Sequence, residues 1–210
     1  MALEFIHRGA SHHGASHAAR VALFPGAYNP PTVAHAEIAR AALEWAEEVI
    51  WIMPRALPHK TFEGIDFAAR CELLRMIAVT DNSFSVATSA GGLFAEMATE
   101  AREFFAPQTG PQTEIAVICG RDAAERAAAW DYGKTGIFEE FLEQYRLLVA
   151  DRAGDYQPAA QYRNRIIRLQ PAASIADVSS TEVRRCIQQG LPWEHLVPSA
   201  ITAKVRELMS

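Results

Sequence analysis

Residues 21–35 read VALFPGAYNPPTVAH. The apolar run at 21–24 predicts a short buried β-strand, and Pro25-Gly26 predicts the turn that ends it. Gly26 lets the backbone turn sharply and approach a ligand closely. Pro30 and Pro31 stiffen the loop that follows. Thr32 then caps a helix expected over about 33–47, whose Ala, Leu and Ile spacing gives it one buried face. Amide N–H groups and the macrodipole make such a helix start favourable for anions. Thr32 adds a hydroxyl, and His35 projects an imidazole from the same first turn. Together they suit the stabilisation of charge on a phosphate in transfer. The plainer reading of T-x-x-H is an N-cap followed by a partly buried helix histidine. Structural context separates the two. Neither G-x-x-x-x-G-K-[ST] nor G-x-G-x-x-G occurs, so the loop is not a P-loop.

Outward from this stretch, strands and helices alternate. VIWIM (49–53) is a second buried strand, stopped by Pro54, and a loop carries Pro58, His59 and Lys60. Helical periodicity covers 66–79, FSVAT (84–88) reads as a strand and 93–105 as a helix. EIAVICG (114–120) is a buried strand followed by the helix RDAAERAAAW. FEEFLEQY is a helix, RLLVADR (146–152) and RNRIIRL (163–169) are strands, and helices at about 180–189 and 198–209 close the chain. This order predicts an α/β fold: a Rossmann-like, doubly wound parallel sheet with helices on both faces and a small C-terminal helical part. Ligands in such sheets sit beyond the carboxyl ends of the strands. The chemically loaded residues fall there: Gly26 to His35, Pro58 to Lys60, Gly120 to Asp122, and Asp151-Arg152.

Composition sets the outer limits. The chain has 210 residues, half of them apolar, enough for one α/β domain with an elaboration. A net charge of −5 argues against a duplex nucleic-acid binder. No run of about 18 apolar residues is present, so no membrane span is expected. Cys71, Cys119 and Cys186 lie far apart without metal-type spacing and are expected to be reduced, mostly buried thiols of a cytoplasmic protein. Residues 1–20 hold His7, His12, His13 and His17 among Gly, Ser and Ala, and are expected to be a flexible polar leader rather than a metal site. Residues 21–210 form the expected domain.

A second constellation lies at VSSTEVRR (178–185). Ser179 followed by Glu182 fits a capping box, which places Ser180, Thr181 and free amides at another helix start, with Arg184 and Arg185 close behind. Hydroxyls, amides and an arginine make an anion cradle. An ordinary capped surface helix would look the same in isolation. Two cradles at one cleft suit a triphosphate cut between its α- and β-phosphates. His195 reads as structural, Trp45 and Trp51 as core or interface, and Asp151-Arg152 as a surface ion pair.

Taken in order, these blocks resemble the nucleotidyltransferases with [HT]-x-G-H and I-S-S-T-x-x-R signatures, and are most similar to the bacterial nicotinate-mononucleotide adenylyltransferases. GAYNPPTVAH stands where that family has G-T-F-D-P-x-H-x-G-H, with Thr32 for the first histidine and Ala34 for the glycine. PHK (58–60), GRDAAERAAAW (120–130), LLVADR (147–152) and VSSTEVR (178–184) match the later blocks, and the similarity spans about Val21 to Leu208. The resemblance implies that His35 and Thr32 stabilise the transferring α-phosphate, with Lys60 adding charge. It implies that Gly26, Ala27 and Tyr28 line the nucleotide, and that Gly120 and Asp122 line the adenosine and ribose. Ser179, Ser180, Thr181 and Arg184 would hold the phosphates that leave. Mg²⁺ would enter with ATP, and the partners would be ATP and a small phosphorylated acceptor. A homo-oligomer is compatible with the sequence.

The chain departs from the family in one place. Where nicotinate enzymes carry S-Y-T-x-D-T-L, it reads SAGGLFAEMATEA (89–101). Trp130 remains as a candidate to stack on an acceptor, or as a core tryptophan on its helix. Three activities are therefore compared: adenylyl transfer to nicotinate mononucleotide, adenylyl or cytidylyl transfer to another acceptor such as phosphopantetheine, and nucleotide binding without turnover.

Overall fold

The computed structural model describes residues 3–9, 20–55, 64–109, 113–130, 133–151, 156–171, 175 and 177–209. Seven strands form one sheet: β1 (Glu4–His7), β2 (Arg20–Pro25), β3 (Glu48–Pro54), β4 (Phe84–Ser89), β5 (Glu114–Gly120), β6 (Arg146–Ala150) and β7 (Ile166–Leu169), in the order β1-β4-β3-β2-β5-β6-β7. β2 to β7 are parallel, and β1 runs antiparallel along β4. Every residue of β3 and β4 is buried. Such unbroken burial belongs in a parallel sheet covered on both faces. Alternate residues of each strand point to opposite faces. One core joins Phe24, Trp51, Met53, Phe84 and Val86 to α1 (Val33–Ala42), α2 (Phe67–Ala78), α6 (Ser180–Gln188) and α7 (Thr202–Met209). The other joins Leu23, Ile50, Ile52, Ala87 and Val117 to α3 (Phe94–Thr109), α4 (Arg121–Ala129) and α5 (Ile137–Gln144). The expected fold class is therefore observed. The chain turns one way from β2 through β3 and β4, and the other way from β5 through β6 and β7. The crevice between β2 and β5 is the switch point where such sheets hold ligands.

Two boundaries differ from the sequence reading. Residues 4–9 of the expected flexible leader are ordered on the sheet edge; residues 10–19, with His12, His13 and His17, lie outside the described residues. Leu3 is buried, and Phe5 packs on Phe104 at 4.8 Å between ring centroids. Arg8 forms a two-pronged bond to Glu48 (Nε to Oε1 3.0 Å, Nη2 to Oε2 3.1 Å), and its guanidinium lies over the rings of Phe5, Phe104 and Phe105. Glu48 is fully buried and also accepts the Ser85 hydroxyl at 2.5 Å. The second difference is at α1, which ends at Ala42 instead of about residue 47. The amides of Leu43, Glu44 and Trp45 bond three residues back, closing a tight turn that frees Glu48 to enter β3.

Candidate active site

The loop after β2 is built around one aromatic ring. Tyr28 has a φ of 49°, left-handed backbone that side chains rarely adopt, and its ring is 1% exposed. Its hydroxyl donates to the Phe24 carbonyl. Burial raises the pKa of the phenol, so it stays a donor. The ring lies over Gly26, where an added Cβ would come within 2.7 Å of Tyr28 Cζ. Glycine at 26 is thus required by the chain's own tyrosine. Tyr28, expected among the nucleotide-binding residues, turns its side chain into the core; its backbone alone can face a ligand. Arg70, 4% exposed on α2, donates from Nη1 to the Ala27 carbonyl at 2.7 Å. Desolvation by burial lowers the pKa of that guanidinium. Asn29 Oδ1 accepts the Ile65 amide at 3.2 Å. The loop is therefore pinned from α2 as well as from β2.

α1 is capped by Thr32, which is fully buried. The Thr32 amide donates to His35 Nδ1 at 3.1 Å, Thr32 Oγ1 lies 2.7 Å from the same nitrogen, and the His35 amide donates to Thr32 Oγ1 at 3.4 Å. The T-x-x-H pair is thus a reciprocal capping box, with histidine in the place usually taken by Glu or Gln. Since Nδ1 accepts a backbone N–H, the bond pattern assigns the proton of the neutral ring to Nε2. His35 is half-buried and presents one donor of fixed identity.

The second cradle docks onto the first. Ser180 Oγ donates to the Pro30 carbonyl at 2.7 Å, and Arg184 Nη1 donates to the Asn29 carbonyl at 2.6 Å. Arg184 Nη2 reaches Thr181 Oγ1 at 3.3 Å. The starts of α1 and α6, 150 residues apart in sequence, meet at residues 29–30. Ser179 Oγ accepts the Glu182 amide at 3.1 Å, which is half of the expected box. The other half is replaced: the Glu182 carboxylate takes Arg185 at 2.8 and 2.5 Å. That bond pulls the Glu182 pKa down to about 2.

Gly120 ends β5, which pairs with β2, so it faces the same crevice. A Cβ there would meet nothing within 4 Å, and Asp122 stands exposed in the first turn of α4. Trp130 is 42% exposed at the far end of α4, so it is not a core residue. A nine-residue helix places it about 14 Å from Gly120. Asp151 pairs with Arg168 at 2.5 Å. Lys60, His59 and Arg152 lie outside the described residues.

Sequence reasoning missed three contributors. Arg70 sits at helical spacing with buried Leu73, Leu74 and Ile77, and an arginine in phase with an apolar stripe was the available signal. Glu100 and Glu96 close the loop after β4: Glu100 accepts the amides of Ala90 (3.3 Å) and Gly91 (2.9 Å), and Glu96 those of Gly92 (2.8 Å) and Leu93 (3.0 Å). Where the resembling enzymes have hydroxyl side chains, this chain thus satisfies four successive amides with its own carboxylates. Among the described residues no three His, Cys, Asp or Glu side chains gather as a metal cage. The groups at the junction are hydroxyl, imidazole and guanidinium.

A crevice at the switch point of a parallel sheet, flanked by two capped helix starts with imidazole, hydroxyl and guanidinium donors, has the chemistry that suits phosphoanhydrides. Residues 23–186 match the cytidylyltransferase-like family, and the chain belongs to that family of nucleotidyltransferases. A probable nicotinate-nucleotide adenylyltransferase of Pelobacter propionicus is 24% identical over 90% of this chain and 96% of its own. One of Salinibacter ruber is 29% identical over 88% and 94%. The solved nicotinic acid mononucleotide adenylyltransferase of Plasmodium falciparum complexed with NaAD shares the fold, with a TM-score of 0.67 at 14% identity over 90% of this chain and 95% of that one. Among the described residues no helix is long and apolar enough to cross a membrane, and the three cysteines are free and buried.

Proposed function

We propose that this chain transfers AMP from ATP to nicotinate mononucleotide, releasing pyrophosphate. The observation that carries this reading is the docking of the α6 start on residues 29–30, which sets Arg184 and Thr181 beside the capping pair Thr32–His35. An acceptor phosphate oxygen attacks the α-phosphorus, a new P–O bond forms, and the bond from that phosphorus to the bridging oxygen breaks. The acceptor supplies the nucleophile, so the protein's work is positioning and charge stabilisation. His35 donates from Nε2 to an α-phosphate oxygen. Thr181, the α6 amides and the remaining N–H groups of Arg184 receive the β- and γ-phosphates, with Lys60 adding charge. Gly120 leaves room for the nucleoside over β5, and Asp122 faces its ribose. The imidazole and guanidinium N–H donors bind phosphate rather than a metal, so Mg²⁺ would enter with the triphosphate and would supply neutralisation of phosphate charge. Free, buried cysteines agree with a cytoplasmic setting.

The test is pyrophosphate release from ATP with nicotinate mononucleotide. Release that requires both substrates supports the reading, and none with any pyridine mononucleotide refutes it. The carboxylate-closed loop at 90–93 favours a second reading, the same chemistry on another phosphorylated acceptor. Release with such an acceptor, and none with the pyridine mononucleotides, would select it.

A further inference from the structure

We propose that Tyr28 is a positioning residue for His35, holding the imidazole plane so that Nε2–H keeps one direction. This rests on the proposed role of His35. The Thr32 amide fixes Nδ1 from one side, at 3.1 Å. The Thr32 hydroxyl lies 2.7 Å from the same nitrogen, so both contacts fall on one ring atom and neither sets the plane of the ring. Tyr28 bears on the plane itself: its ring meets the imidazole edge-on, with centroids 5.2 Å apart and planes at 65°, closer than the Phe24 ring, which lies 6.1 Å away at 45°. The tyrosine is itself immobilised. Phe24 and Trp51 pack against it at 5.9 and 5.5 Å, its hydroxyl is bonded to the Phe24 carbonyl, and Gly26 lies under the ring.

The backbone shows that this placement is specific. Filling a core does not need a left-handed residue, yet Tyr28 has a φ of 49°. That conformation is stable here because the Ala27 carbonyl is held by buried Arg70 and the Asn29 side chain by the Ile65 amide. Strained backbone next to a reactive group is a recurrent device for fixing its geometry. The turn directs the ring back over Gly26 and against His35, on the inner side of the loop that carries the phosphate grip.

The experiment is a double-mutant cycle on pyrophosphate release, with Tyr28→Phe, Tyr28→Leu, His35→Ala and the Tyr28→Leu/His35→Ala pair. Tyr28→Phe keeps the ring and should stay within about threefold of the parent. Tyr28→Leu should lower kcat about tenfold or more, with KM for ATP within about threefold. In the His35→Ala background the same change should cost no more than about twofold, because the group it positions is gone. Multiplicative losses, or an unchanged kcat in Tyr28→Leu, overturn the proposal while leaving the role of His35 intact. Full activity in His35→Ala removes that role and this inference with it. If Tyr28→Leu does not fold, Gly26→Ala enters the same cycle, since its Cβ must displace the tyrosine ring.

Discussion

At the scale of single residues, the proposed phosphate grip depends on groups that other residues have fixed in place. Thr32 is both the cap of α1 and a neighbour of His35 Nδ1. Thr32→Ala should cost about 1 kcal/mol of stability, the usual worth of a cap, and should also lower kcat. Thr32→Ser should restore both. Urea denaturation and pyrophosphate release together check this; a stability loss with kcat unchanged would make Thr32 only a cap. Arg70 is the clearest residue whose importance no motif announces. Arg70→Met removes a charged donor from the half-buried Ala27 carbonyl, a cost of about 1.5–3 kcal/mol. It should also weaken ATP binding, because the loop it pins carries the grip. Unaltered ATP affinity in a folded Arg70→Met protein would contradict that link.

At the scale of elements, β1 is held by a buried charge. Glu48 has no solvent contact, and Arg8 is its ionic partner among the described contacts. Arg8→Ala should therefore destabilise by about 3–5 kcal/mol, since a buried carboxylate loses its counter-charge. The pair Arg8→Ala/Glu48→Gln should recover part of this in urea denaturation, and an equal loss in both would contradict the account. Periodicity could not reveal β1: a four-residue strand of exposed and half-buried residues is held by Phe104 and, through the adjoining Arg8, by Glu48, far away in the chain. The same distance effect shortened α1. On α6, the Glu182–Arg185 bond has a pH signature. The folded carboxylate titrates at about 2, below its ordinary 4.5. Its contribution is thus present above about pH 4.5 and lost as pH falls toward 2. Glu182→Gln should melt lower than the parent at pH 7, and the gap should close by about pH 2. Both side chains are partly exposed, so the effect is small. A gap independent of pH would assign it to something other than this bond.

At the scale of the molecule, the crevice between β2 and β5 organises everything described above. Its place was legible because strands with apolar runs end at Gly26 and Gly120, and because T-x-x-H and S-S-T-x-x-R each follow a strand or turn. What no local pattern could reveal was how they meet. Ser180 and Arg184 were read as phosphate ligands, yet they also clasp the Pro30 and Asn29 carbonyls. That contact links residues 150 positions apart and exists only in the folded sheet. Tyr28 was misjudged for a related reason: its left-handed backbone, not its residue type, turns the ring inward. The loop after β4 keeps its distinctive feature, amides bonded to Glu96 and Glu100. The most direct test is steady-state pyrophosphate release from ATP and nicotinate mononucleotide by the parent protein and His35→Ala. The account predicts release that requires both substrates, and a loss of about a hundredfold in the variant with ATP binding retained. Equal rates in the two proteins, or ATP binding by the parent without pyrophosphate from any pyridine mononucleotide, would contradict it.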